Sequence, residues 1–458
     1  MLRFYNSLTK NKENFIPIKK GKVKLYTCGP TVYDYAHIGN FRTFLFEDFL
    51  KRTLISFGYE VFHVMNITDV DDKTINKSVK EGKKLNDIAE IYTSIFKKDL
   101  ENLKILPPDV FPLATDHIDK MIEIIQILIN KGHAYPTNDN SVFFSIDSFK
   151  DYGKLSNIDM SKVITGSRVS SDEYKLENPS DFVLWKAYKK EDGDVKWSSP
   201  WGDGRPGWHI ECSAMSMQYL GDHFDIHCGG VDNKFPHHEN EIAQSICATG
   251  KPFVNIWMHS EFLIINSDKM SKTLKNYYRL DDLLREGFSI EEIRFIMLSA
   301  HYRSKLNFSL EKQHEAKMAI QRILELNDRL DQFVSTEEKG LPVEAENFKL
   351  ALSDDLDSPK ALAIFFDWLR KTNRRLDSNK LSQSDIDKGK NFIYLLDSLY
   401  SLLNKKTMVP EKILVLVKER ERARKNNDWE KSDKIRIQIS KDGWIIKDTP
   451  SGPKITPK

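Results

Sequence analysis

Residues 23–67 constrain the fold of this chain more than any other stretch. Val23–Thr27 reads as a short strand that ends on the turn residues Cys28-Gly29-Pro30. After Tyr35 a helical pattern runs from Ala36 to Phe57, with Phe41, Leu45, Phe49 and Leu50 near helical spacing, until Gly58 stops it. Glu60–Ile67 is a second strand, rich in β-branched and aromatic residues. Two strands joined by a helix within about 45 residues make a βαβ unit, the opening of a parallel, nucleotide-binding α/β sheet. Two further strands are predicted, at His223–His227 and Val254–Ile265, with a helix from about Glu239 to Ala248 between them.

With 458 residues the chain is too long for one hydrophobic core, and it divides by pattern. Residues 1–310 form the α/β domain. It is interrupted at about 113–205 by an insertion with a helix at Asp116–Asn130, a hairpin near Val142–Ile146 and a turn-rich run at Ser198–Gly207. Residues 311–408 are all-helical. One apolar stripe there is Met318, Ala319, Ile323, Leu326, Leu330 and Phe333; another is Ala361, Ile364, Phe365, Trp368 and Leu369. Residues 409–458 form a small unit of two charged helices and a hairpin from Trp444 to Ile455. The expected fold class is therefore α/β with an insertion, followed by an α-helical bundle and a small C-terminal α+β unit.

A 40% apolar and 30% charged composition suits a folded, water-soluble protein. The N-terminal residues lack a basic stretch leading into an apolar one, and no window is apolar enough to span a bilayer, so no membrane role and a cytoplasmic location are expected. Net charge is only +2, but residues 409–458 carry thirteen Lys and Arg against eight Asp and Glu. A basic tail on a near-neutral body suits an RNA contact. Four cysteines, at 28, 212, 228 and 247, are too few for a disulfide framework, and Cys247 reads as a free thiol.

Three constellations carry chemistry. His37-Ile38-Gly39-Asn40 opens the first helix, where backbone N–H groups and the helix dipole favour phosphate. His37 adds a donor, and Gly39 lets a base or ribose lie against the backbone. Lys269-Met270-Ser271-Lys272-Thr273 follows the last strand and offers two cations on a polar loop for a departing pyrophosphate. Third, Cys28 ends the first strand, Cys212 follows Gly207-Trp208-His209-Ile210-Glu211, and His237 and Glu241 sit four apart in Phe235-Pro236-His237-His238-Glu239-Asn240-Glu241. Two thiolates, an imidazole and a carboxylate make a plausible zinc shell, although this spacing alone does not distinguish it from unrelated cysteines and histidines.

The first two motifs, in this order, resemble the two ATP-binding signatures of class I aminoacyl-tRNA synthetases, with Asn40 and Thr273 as departures at the last positions. Thr27-Cys28-Gly29-Pro30-Thr31-Val32-Tyr33, residues 207–215 and residues 235–241 resemble three motifs of the cysteinyl-tRNA synthetases, again in order. The resemblance runs to at least His301. It implies a Rossmann-type catalytic domain and one zinc on Cys28, Cys212, His237 and Glu241, with the substrate thiol completing the shell. It implies a cysteine and adenylate pocket of Gly29, Thr31, Thr68, Trp208, His227 and Asp232. His37, Gly39, Asn40, Asp232 and Lys272 would bind ATP with its Mg2+, and His37, Asn40, Lys269 and Lys272 would act in catalysis.

The implied reaction joins L-cysteine to tRNA(Cys) by way of cysteinyl-adenylate, in an enzyme expected to be a monomer. The basic C-terminal unit would read the anticodon, with Trp429 stacking on a base and Asp433 accepting from a base edge four residues on; Trp429 has a competing role as core of that unit. Cys228 stands where the family pattern has glycine, which puts a tight backbone approach beside His227 in question and marks a thiol open to oxidation or stray metal. The nearest rival is a cysteine ligase of the same fold that passes the adenylate to a small amine. A zinc hydrolase built on His237, His238 and Glu241 lacks either zincin motif.

Overall fold

The computed structural model describes residues 1–158, 181–266, 268–269, 277–336, 339–403, 410–449 and 452–457. They fall into two compact units, Met1–Leu402 and Leu403–Lys458.

A hairpin of β1 (Arg3–Asn6) and β2 (Asn11–Asn14) precedes β3 (Lys22–Thr27), α1 (Ile38–Ser56) and β4 (Glu60–Met65). With β9 (Phe224–Gly230) and β10 (Val254–Ser260) these build a wholly parallel sheet in the order β10-β9-β3-β4. The chain leaves β3 toward β4 on one side and returns to β9 on the other. The C-terminal ends of β3 and β9 are thus a topological switch point, where α/β sheets open a ligand crevice.

The βαβ reading of residues 23–67 matches this geometry, but α1 is buried on more than its apolar stripe. Arg42, Glu47, Asp48 and Lys51 are buried with Phe41, Leu45, Phe49 and Leu50. Arg42 donates to the carbonyls of Met297 and His301, and Asp48 accepts from both Arg52 and Arg294. α1 can be buried so widely because it lies between the sheet and the helices Ile290–Ser299 and Gln383–Tyr400.

The stretch read as one strand at Val254–Ile265 divides in two. β10 ends at Ser260, and β11 (Leu263–Ile265) joins a separate sheet with Asp268–Lys269 and Leu306–Phe308. The cause is a change of partner: the Ser260 carbonyl still accepts from Val231, whereas the Glu261 N–H donates to Tyr302.

α2 (Asp72–Glu81) and α3 (Leu85–Asn102) follow β4. Beyond them, α4 (Ile118–Asn130) packs on the helices Trp208–Leu220 and Glu239–Thr249. β5 (Ala134–Pro136), β6 (Val142–Phe144), β7 (Phe182–Ala187) and β8 (Gly204–Pro206) form an antiparallel sheet. The run at 198–207, read as turns, therefore ends in a strand. Buried Lys186 of β7 and Arg205 of β8 both pair with Asp72 at the start of α2, which ties this sheet to the body.

The helices Lys312–Asp331, Glu344–Ser353, Ser358–Asp377 and Gln383–Tyr400 complete the first unit. The buried stripe of Lys312–Asp331 is Ala316, Ile320, Ile323, Leu326 and Leu330, so Met318 and Phe333, expected inside, are exposed. A surface helix buries one narrow face, and an apolar residue just off it stays in water at little cost. In the second unit the helices Glu411–Lys425 and Trp429–Lys441 and the hairpin Trp444–Thr449 and Gly452–Pro457 close on Ile413, Val417, Ile435, Ile439, Trp444 and Ile446.

Candidate active site and metal centre

Cys28 lies one residue past β3, and its N–H donates to the Cys228 carbonyl of β9 at 3.4 Å. Cys212 sits in the second turn of the helix Trp208–Leu220. That helix starts close to β7 because Gly207 has no side chain: a Cβ there would meet the Val183 carbonyl oxygen at 2.3 Å. The two sulfurs are 4.0 Å apart and buried. From the helix over the end of β9, His237 Nε2 comes to 3.2 Å from Glu241 Oε1, as expected for residues one turn apart on one face. One ligand atom from each of Cys28, Cys212, His237 and Glu241 lies within 4.8 Å of the other three.

The donor chemistry fits a soft divalent cation. Burial holds His237 down to about 3, so its imidazole is neutral with a lone pair to give. Burial also pushes both thiols up, and at Cys212 hydrogen bonds with Cys28 and Tyr26 oppose that push without cancelling it. Glu241 Oε1 is fully buried and makes no hydrogen bond despite its nearness to His237. Two thiols, a neutral imidazole and an orphaned carboxylate oxygen around one point are what zinc binds.

A second set, Cys28, His227, His238 and Glu241, meets the same distance limit. It shares Cys28 and Glu241 with the first set and replaces Cys212 and His237 by two histidines. His227 Nε2 lies 3.0 Å from Glu241 Oε2. His238 lies 3.3 Å from Cys28 Sγ through Nε2 and 2.8 Å from His259 through Nδ1, and His259 reaches the Ser7 hydroxyl at 2.8 Å. His209 meets His237, Nδ1 to Nδ1, at 2.9 Å. Sequence reasoning gave no role to His209, His259 or Ser7, and placed His238 only in the zinc-hydrolase alternative. His209 and His238 stood inside quoted motifs, but no sequence signal linked His259 or Ser7 to the cluster.

Of the residues expected to line the cysteine pocket, Trp208 and His227 contact the cluster, and Gly29, Thr31 and Thr68 are joined in the loop that follows Cys28. Trp208 stacks on His237 with ring centroids 4.3 Å apart and is 39% exposed, so it caps the cluster at the solvent side. Gly29 donates to Asn66 Oδ1 at 3.0 Å, and a Cβ there would sit 1.7 Å from the Asn66 carbonyl oxygen. Asn66 Nδ2 donates to the Thr68 hydroxyl, and Thr31 bridges to Thr68, so Gly29, Thr31 and Thr68 share one loop contact. His227 is wholly buried against Trp257 and Glu241. The close approach questioned at Cys228 falls one residue later: a Cβ on Gly229 would lie 2.7 Å from His238 Cε1. Cys228 itself is fully buried and belongs to neither donor set.

At the start of α1, His37 Nδ1 accepts from the Asn40 N–H and Asn40 Oδ1 accepts from the His37 N–H, a capping box. A neutral His37 therefore carries its proton on Nε2. Gly39 is half-buried in this first turn, and Asp232 is exposed in the turn after β9. Lys269 ends the short strand paired with β11; Lys272 lies outside the described residues.

In the second unit, Trp429 is 56% exposed and Asp433 is exposed on the same helix. The role of Trp429 as core of that unit is overturned, because Trp444 fills it. Arg424 lies 5.6 Å from the Trp429 ring centroid.

A parallel sheet with a helix-start motif after β3 and a lysine beyond β11 is the arrangement that the resemblance to class I aminoacyl-tRNA synthetases led one to expect. The family described as tRNA synthetases class I (C) catalytic domain matches residues 14–318, and the DALR domain matches residues 347–404. The chain is 47% identical to the cysteine–tRNA ligase of Chlamydia pneumoniae, over 100% of this chain and 98% of that one. It is also 47% identical to that of Brachyspira hyodysenteriae, over 98% of each. The chain belongs to the cysteine–tRNA ligase family. In fold it is similar to Mycobacterium tuberculosis methionyl-tRNA synthetase with methionyl-adenylate (TM-score 0.58, 13% identity, 83% of this chain and 90% of that one). It is likewise similar to an Agrobacterium radiobacter LeuRS–tRNA–LeuAMS complex (TM-score 0.60, 12% identity, 85% of each).

Proposed function

We propose that the chain activates L-cysteine with Mg-ATP and passes it to the 3′ end of tRNA(Cys), with Cys28, Cys212, His237 and Glu241 holding one zinc. The observation that carries the metal assignment is that these four donors, the same four that the family resemblance implies, lie within 4.8 Å of one another. Zinc there supplies a soft Lewis acid that prefers thiolate sulfur to hydroxyl oxygen. Cysteine and serine differ by one atom, and a pocket judging size alone separates such pairs by only about 10²-fold.

The chain's own residues position and stabilise charge. Trp208, Gly29, Thr31 and Thr68 shape the pocket around the substrate, and His227 fixes Glu241. In the first step the cysteine carboxylate attacks the α-phosphate and pyrophosphate leaves. His37 Nε2–H, the Asn40 amide and the positive end of α1 face the phosphates, while Lys269 and Lys272 balance the departing charge and Asp232 and Gly39 hold the nucleoside. In the second step the terminal ribose hydroxyl of tRNA attacks the carbonyl carbon and AMP leaves. No side chain acts as nucleophile; positioning carries the rate. The helical region 311–408 and the unit 409–458, with Trp429 and Asp433, contact tRNA.

Cysteine-dependent pyrophosphate exchange, run across the amino acids with metal analysis of the purified chain, tests this reading. One zinc per chain and exchange with cysteine alone are expected. Exchange that persists with zinc far below one per chain rejects the metal assignment. Transfer to a small amine in preference to tRNA would favour the rival ligase.

A further inference from the structure

A second surface lies along α2, beside the loop that runs from Cys28 to His37. α2 carries Lys73, Lys77 and Lys80 at helical positions i, i+4 and i+7, on one face. Lys73 and Lys80 are exposed, and neither has an ion-pair partner among the described residues. Three tyrosines lie among these cations. Lys73 Nζ is 5.3 Å from the ring centroid of Tyr33, and Lys77 Nζ is 4.5 Å from that of Tyr92. Tyr92 meets Tyr35 edge to face at 5.5 Å, and Arg279 lies 4.6 Å from the Tyr35 centroid. Tyr35 is 39% exposed.

We propose that this face of α2, with Tyr33, Tyr35 and Tyr92, is where the unpaired 3′ end of tRNA lies as it enters the site. The inference rests on the tRNA-charging reading above and adds a location to it. Rings interleaved with cations are what a single strand requires: its bases stack on aromatic faces and its phosphates need neutralising charge. A paired stem hides its base faces and uses the cations alone. Position agrees with the chemistry, since the terminal ribose hydroxyl must reach an acyl group held beside Cys28. Tyr33 and Tyr35 belong to the loop that runs from Cys28 to His37. Two of the three tyrosines therefore sit in the loop that joins the Cys28 end of the site to the start of α1, and the strip continues from them along α2.

The test compares the full chain with its Lys73→Gln/Lys80→Gln variant. Cysteine-dependent exchange without tRNA reports adenylation and folding. Affinity is measured across a salt series for intact tRNA(Cys) and for the same tRNA lacking its unpaired 3′ nucleotides. Exchange is expected to stay within about twofold. Affinity for intact tRNA should fall by about tenfold, and its salt slope by about one to one and a half, as expected for two phosphate contacts to a single strand. The shortened tRNA should bind both proteins alike.

Tyr92→Leu, which keeps the cations, should also weaken intact tRNA selectively. Equal weakening of intact and shortened tRNA overturns the proposal in favour of a paired stem, and reduced exchange without tRNA assigns the patch to ATP. Unchanged affinities make it a solvated lysine face. If wild-type exchange does not depend on cysteine, the functional reading fails separately from this one.

Discussion

Glu241 is held between two histidines: Oε2 lies 3.0 Å from His227 Nε2, and Oε1 lies 3.2 Å from His237 Nε2. The first contact fixes the carboxylate so that the second oxygen faces the two thiols. A partner of this kind orients a metal ligand without touching the metal, and its loss typically costs about 10–100-fold in affinity. His227→Leu should therefore lower zinc affinity by about that factor, read by chelator competition on the purified chain. His227→Gln, which can return an amide to the same place, should recover part of the loss. Equal affinity in the leucine variant would remove His227 from the site's support.

How much of this was legible in the sequence depends on how far each partner lies along the chain. The βαβ unit is local: its strand and helix periods lie within one window, so residues 23–67 could be read almost as they fold. The four proposed metal donors come from three segments and were joined by resemblance; spacing alone left them unassigned. The support around them was not legible. His259 and Ser7 are 252 residues apart in sequence and 2.8 Å apart in space, and neither sits in a motif. The same holds for Arg294, which bonds Asp48 from 246 residues away and lets a charged residue sit inside a helix that a pattern reading expects to be half-exposed. Met318 shows the opposite limit: an apolar residue one step off the buried face has no signature in the sequence that keeps it out.

Asp99, in α3 and in neither donor set, offers a pH test. Burial, with the Asp281 carboxylate nearby, raises its pKa to about 6. The folded state therefore binds this proton more tightly than the unfolded state, where an aspartate titrates near 3.9. The contribution of protonated Asp99 is present below about pH 4 and is lost as pH rises through about 6. Asp99→Asn should stabilise the chain at pH 7 to 8 by roughly 1 kcal/mol, discounted because the carboxyl is only partly buried. Denaturant melts at pH 4 and pH 8 would read it. A gain equal at both pH values contradicts the raised pKa.

Lys272 is the second lysine of the segment after β11, which the family resemblance places over the pyrophosphate. Losing one charge-stabilising donor in such a step costs about 10²-fold or more in rate. Lys272→Ala should lower cysteine-dependent exchange by at least that factor while zinc content stays at the wild-type value. A wild-type rate would take Lys272 out of the mechanism and leave the stabilisation to His37 and α1.

The C-terminal unit has its own core, and that makes its role separable. Ile413, Val417, Ile435, Ile439, Trp444 and Ile446 pack together within residues 403–458, a unit distinct from Met1–Leu402. A chain ending at Thr407 should therefore keep cysteine-dependent exchange while tRNA charging falls sharply. Within the full chain, Trp429 and Trp444 should part company. Trp429 is exposed, so Trp429→Ala should change stability by less than about 0.5 kcal/mol. If its ring stacks on an anticodon base, charging efficiency should fall by about tenfold or more, since such stacking contributes about 1–3 kcal/mol per base. Trp444→Ala removes a core residue and should unfold the unit, with charging lost for that reason and exchange kept. Near-UV circular dichroism with both assays separates the two cases. Charging that survives both the truncation and Trp429→Ala would show that the unit does not read the anticodon. Exchange that collapses with the truncation would make the unit part of the catalytic body's stability instead.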